Sequence, residues 1–177
     1  MPKLTEFKVS LNLPYIGGIE GTWQPDRNEK EAAWEMYVEL VTRVAIVELQ
    51  PQEGSLREAL SSLYSIFDST RKILREHGPG IAQPKGEGKL SFGYLAVAIL
   101  NTVLRPLLAK WHPLLRDYEH SRPETISLIA HERAWQFYDE IRGELAELRK
   151  PLTEYANLLA DVAGIPSLII DRPSSAE

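Results

Sequence analysis

Cysteine is absent from the 177-residue chain, so disulfides, thiolate zinc sites and cysteine nucleophiles are excluded together. That absence fits a reducing compartment. An excess of positive charge is missing too. The net charge is −5 and the pI about 5.5, which advertises no broad basic surface for duplex nucleic acid, although a local basic pocket stays open. The opening residues, MPKLTEFKVSLN, lack the apolar core of a signal peptide. The most apolar window, Phe92 to Leu104, has about 13 residues where a membrane-crossing helix needs roughly 20, and Arg105 and Pro106 follow at once. A soluble, cytoplasmic protein with no membrane partner is expected.

Motifs that carry chemistry are equally scarce. There is no H-E-x-x-H and no E-x-x-H pair of the di-iron bundle type, and His112, His120 and His131 show no metal spacing. His131 and Glu132 are adjacent, but neighbours on a helix diverge by about 100°. No G-x-S-x-G appears, and Ser121, a serine near histidine, has a loop-capping explanation. GPGIAQPKGEG has glycines and a lysine without the G-x-x-x-x-G-K-[ST] phosphate loop. Pairs such as Glu144 with Lys150 read as electrostatics of a solvated face. The expectation is a protein without metal, cofactor or catalytic residues, and not an enzyme.

What is present is an ordinary globular composition, 44% hydrophobic and 25% charged, at a length that suits one domain over residues 1–177. Residues 1–24 read as a β-hairpin. Phe7, Val9, Leu11 and Leu13 alternate with Lys8, Ser10 and Asn12, PYIGG turns, and IEGTW returns. Residues 26–164 read as a helical bundle. DRNE is a capping box with Asp26 and Glu29 as its two halves, after which Trp34, Tyr37, Leu40, Val41 and Val44 repeat at helical spacing. A second box, Ser55 to Glu58, opens a helix whose buried face is Leu56, Leu60, Leu63, Phe67 and Leu74, and His77 to Gly80 ends it.

IAQPKGEGKL is a polar loop long enough to be mobile and to order on a partner. A third helix is predicted from about Ser91 to Tyr118, bent at Pro106 and Pro113, each of which removes a hydrogen bond. A fourth is predicted from about Ser127 to Ala163. There Tyr138, Ile141, Leu145, Leu148, Leu152, Tyr155, Leu159 and Val162 form a seam that crosses Pro151. Residues 165–177 read as an extended tail, with Leu168 to Ile170 joining the hairpin. The fold class expected is mainly α: an antiparallel four-helix bundle with a small N-terminal hairpin.

The third helix raises the functional question. It is apolar almost all round between Phe92 and Leu104, the mark of a helix buried on most sides. Yet Tyr94, Asn101, Arg105 and His112 fall within roughly 40° of one another at about 100° per residue, with Lys110 on the opposite side. Two readings compete. In one, Asn101 and Arg105 bond carbonyls freed by the prolines or pair with Asp68 or Glu39. In the other, this stripe meets Arg71 from the second helix and Arg43 from the first, forming a pocket for a phosphate-bearing or carboxylate ligand. Trp34 and Trp111 read as core or rim.

WEMYVELVTRV, LREALSSLYSIFDSTRKILREHGP and LNTVLRPLLAKWHPLLRDYEHSRP together resemble a group of uncharacterised bacterial helical proteins associated with conflict or defence loci, over about Trp34 to Pro123. The resemblance places Arg43, Arg71, Asn101, Arg105, Lys110 and His112 among its motif residues and gives none of them a role. The first functional expectation is therefore a non-enzymatic module that binds another protein in a bacterial defence or signalling complex. The second is a sensor for a small anionic, nucleotide-like ligand, held by Arg43, Arg71, Tyr94, Asn101, Arg105 and His112.

Overall fold

The computed structural model describes residues 5–170 apart from 15, 44, 45 and 48. Val44, the last expected repeat of the first helix, lies outside them. The chain is mainly helical, with a small sheet formed by β1 (Phe7–Leu11), β2 (Ile19–Trp23) and β3 (Lys89–Leu90) in that order. β1 and β2 pair antiparallel from Phe7↔Trp23 to Leu11↔Ile19, as alternation in the sequence implies. The third strand is a correction. It comes from the Gly/Pro loop, pairing parallel to β2 at Thr22↔Lys89 and Trp23↔Leu90, and not from Leu168 to Ile170. That loop is tied down: Lys85 donates to the Gly80 carbonyl and pairs with Asp26 at 3.0 Å, while Lys89 reaches Glu6 at 2.6 Å. The C-terminal segment instead runs past the first helix, where the Leu168 amide donates to the Tyr37 hydroxyl.

The helices are α1 (Arg27–Val41), α2 (Leu56–His77), α3 (Phe92–Ile99), α4 (Arg105–His120), α5 (Leu128–Arg133) and α6 (Tyr138–Ala163). α3 and α4 are one continuous rod, joined by a π turn over Leu100–Leu104. The expected fourth helix is two, α5 and α6, separated by a turn that inserts Trp135 and Phe137 into the core side of Trp111. α6 runs through Pro151 without a break, and Ile141, Leu148, Leu152, Tyr155, Leu159 and Val162 of its seam are buried. On α1 the core face is Ala33, Met36, Tyr37 and Leu40, while Trp34 is 43% exposed and sits at the rim. α1 packs on α6 and α2, and the hairpin residues Val9, Leu11, Leu13 and Trp23 belong to the same core.

Buried carboxylates fix how these elements meet. Glu29 is 0% exposed and completes the α1 capping box, but it also accepts from the Trp23 indole and the Phe92 amide, each at 3.0 Å. One side chain thus joins β2, α1 and α3. The second box is only half formed in α2: Ser55 accepts from the Glu58 amide, while the Leu56 and Arg57 amides donate to Glu132 of α5 at 2.8 and 3.4 Å. Glu144 contradicts its expected pairing with Lys150. It takes Lys110 at 2.6 Å and the Trp111 indole at 2.8 Å, because α4 packs beside it.

The π turn has a local cause. Pro106 has no N–H and its ring would crowd the Thr102 carbonyl in α geometry. Widening the turn, so that the Arg105 amide bonds the Leu100 carbonyl, relieves that contact. Thr102 then donates its hydroxyl to the Ala98 carbonyl at 2.6 Å. The Phe92–His120 rod is long and apolar enough to cross a membrane by length and composition, since the helix continues past Arg105 and Pro106. Of its most apolar window 56% is buried inside the fold, as in the core helix of a globular protein.

Candidate functional site

A groove of about 590 Å³ runs between α2 and α4. Four arginines line it, Arg57 and Arg71 from α2 and Arg105 and Arg116 from α4, and no lining residue is acidic. The spacing explains the convergence. Arg57, Tyr64 and Arg71 recur every seven residues on α2, and Arg105 and His112 do so on α4 before Arg116 comes one turn later. Residues seven apart on a helix share a face. Arg57 meets Glu119 near the end of α4, and Arg105 meets Phe67 further along α2, so the two helices run in opposite directions.

Aromatic rings form the floor. Tyr64 stacks on Phe67 with ring centroids 5.9 Å apart and meets His112 edge-on at 5.6 Å. The guanidinium of Arg105 lies 5.1 Å and that of Arg71 5.9 Å from the Phe67 centroid, which draws two like charges to one end. At the other end Arg57 donates to both oxygens of Glu119, at 2.9 and 2.7 Å. Arg71 pairs with Asp68 at 2.7 Å. Arg105 bonds only the neutral Asn101 side chain, at 3.0 Å, and neither it nor Arg116 has an acidic partner among the described residues. Two of the four charges are therefore neutralised and two are available.

His112 is held neutral. Arg57 Nη1 lies 3.1 Å from His112 Nδ1, and a guanidinium only donates, so Nδ1 accepts and the ring proton sits on Nε2. Burial, then the charges of Arg57 and Arg116, push its pKa below 6.5, against a smaller pull from Glu119. Below pH 6.5 the unfolded chain gains a proton that the folded one refuses, so this contribution to stability is lost as pH falls. His112→Gln keeps an acceptor for Arg57 and does not titrate. In urea unfolding, the stability advantage of wild type over His112→Gln is expected to shrink between about pH 7 and pH 5. Parallel pH profiles for the two proteins would contradict this.

The structure brings together three of the six residues singled out in the sequence: Arg71, Arg105 and His112. Asn101 supports Arg105 from outside the lining. Tyr94 is 54% exposed on α3 and is not part of the groove lining, and the extra residue in the π turn shifts the α4 positions by roughly 100° relative to α3. Arg43 is elsewhere. It is bound by Glu39, Ser65 and Ser69 and ties the end of α1 to α2; the Ser69 hydroxyl, opposed by burial and aided by Arg43, holds the Glu39 carboxyl below its usual range. The polar stripe is accordingly not an interior one: Tyr94, Asn101 and Arg105 are exposed. Arg57 and Arg116 escape the sequence reading, although the seven-residue recurrence through Arg57 is a signal that could find the first.

Among the described residues no group of three or more His, Asp or Glu side chains is placed to hold a metal ion. Set against family models, curated proteins and solved structures, the chain matches none. The groove's own chemistry therefore carries the functional reading. Guanidinium groups bond phosphate and carboxylate oxygens in pairs, and an exposed ring beside them takes a flat ligand face.

Proposed function

We propose that this chain is a binding protein, acting without catalysis, for a small phosphate-bearing, nucleotide-like ligand in the α2/α4 groove. The observation that carries this reading is the concentration of four arginines in one groove, two of them without an acidic partner among the described residues, in a chain whose net charge is −5. Charge scattered for solubility does not collect in this way. Tyr64, 54% exposed among those arginines, supports a ring-bearing ligand over a bare anion. Charge-assisted hydrogen bonds contribute about 1.5–3 kcal/mol each and base stacking about 1–3, so two arginines and one ring supply about 4–9 kcal/mol before the cost of association, which corresponds to weak, roughly millimolar to submillimolar affinity. The reading takes the long helices as an antiparallel bundle and the protein as soluble and cytoplasmic.

Titration calorimetry with AMP, ATP and inorganic phosphate tests it. AMP or ATP is expected to bind more tightly than phosphate. Arg105→Lys is expected to weaken nucleotide binding about tenfold, since lysine loses the planar fork, while the melting temperature barely moves at this exposed position. No binding by any of the three, or an unchanged affinity in Arg105→Lys, would sink the reading.

A second reading, docking of a partner protein in a bacterial defence or signalling complex, is favoured by a separate feature. Ile126, Leu128 and Ile129 are all exposed, close together in sequence at the start of α5.

A further inference from the structure

The groove has two cationic ends with aromatic rings between them, and this sets the length of the ligand it fits. Arg105 and Arg116 are eleven residues apart on one helix, about 16 Å at 1.5 Å per residue. Because α2 runs the opposite way, Arg71 and Arg105 share the Phe67 end, and Arg57 and Arg116 share the His112 end. Each end holds one arginine already paired with an acid and one that is not. A single phosphate reaches one end only. Tyr64 lies between the ends and presents its ring to the groove.

We propose that the groove selects a linear, dinucleotide-sized ligand with phosphate at both ends, one phosphate at Arg105 and the other at Arg116, and a base against Tyr64. This rests on the reading of the groove as an anion site. A ligand of this size is favoured over a long single strand because a chain of net charge −5 repels a polyanion that runs beyond the groove. The ends need no metal or protein rearrangement to act together, since both unpaired arginines are exposed on one helix.

The test compares AMP, a linear diadenylate phosphorylated at both ends, and a twelve-nucleotide oligoadenylate by titration calorimetry on wild type, Arg105→Gln and Arg116→Gln. Both substitutions are at exposed positions, and unchanged melting temperatures confirm the fold. The diadenylate is expected to bind wild type at least about tenfold more tightly than AMP, and each substitution to weaken it about tenfold. AMP, which occupies the Arg105 end, is expected to be weakened by Arg105→Gln and not by Arg116→Gln. AMP binding with no gain for the diadenylate overturns the two-ended site and leaves the anion reading standing. A twelve-nucleotide strand that binds more tightly than the diadenylate overturns the limit on length. Failure of all three to bind removes the anion reading itself.

Discussion

Glu29→Ala is expected to lower the unfolding free energy by about 4 kcal/mol, a large share of the roughly 5–15 kcal/mol that a domain of this kind possesses. The Glu29 side chain is 0% exposed, and its two oxygens accept from three N–H groups on different elements: the Trp23 indole, the Phe92 amide and the Asp26 amide. Trp23 and Phe92 are themselves fully buried, so solvent does not replace the lost acceptor. Each buried donor left alone costs about 1–3 kcal/mol, and the third, at the α1 N-terminus, loses one half of a capping box. Glu29→Gln separates charge from shape. Its carbonyl still serves Trp23 and Phe92, but its NH₂ faces the Asp26 amide, donor against donor, and a loss of about 2 kcal/mol is expected. Urea unfolding measures both. A value for Glu29→Ala within about 1 kcal/mol of wild type would show that the three donors find other partners.

How much of the fold is legible in the sequence depends on whether the interacting residues lie within one element. The α1 capping box is legible because Asp26 and Glu29 are three residues apart, a purely local relation. So is the seam of α6, whose burial comes from its period alone. The bond from Glu29 to Phe92 is not legible, since it joins residues 63 apart in sequence through a tertiary contact. The same division runs through the groove. Arg105 and His112 are visible on their own helix, but Arg57 sits in the first turn of α2, where its sequence neighbours Ser55 and Glu58 mark a cap and draw attention away from it. Arg43 lies apart from the groove because a helical wheel carries no information about which neighbour a face meets. Tyr94 departs from the expected stripe for a different reason: one inserted residue in the π turn breaks the constant rotation that the wheel assumes. Pro106 is the visible sign of that break. In the sequence it signals a bend, whereas its effect in the fold is a change of register.

Glu132 is the second carboxylate on which the fold turns, and its contribution is expected to depend on pH. Glu132→Ala strips the Leu56 and Arg57 amides of their acceptor and leaves the first turn of α2 with Ser55 alone, an expected loss of about 2–3 kcal/mol. Glu132→Gln retains a carbonyl for the Leu56 amide and is expected to recover at least half of that loss. The reason lies in the pKa. Burial pushes the Glu132 carboxyl above its ordinary 4.5, outweighing the two amide bonds, with Glu119 adding repulsion and Arg57 a smaller attraction. The ionised form is therefore the less comfortable one in this site. A carboxyl whose folded pKa lies above the unfolded value adds stability when protonated, and that contribution is lost as pH rises through the folded pKa. Glutamine does not titrate, so it isolates this effect. Lowering the pH from about 7 towards 5 is expected to raise the stability of wild type relative to Glu132→Gln in urea unfolding. A difference that stays flat over that range, or that moves the other way, would mean that the α2 N-terminus holds the carboxylate ionised more strongly than burial opposes it.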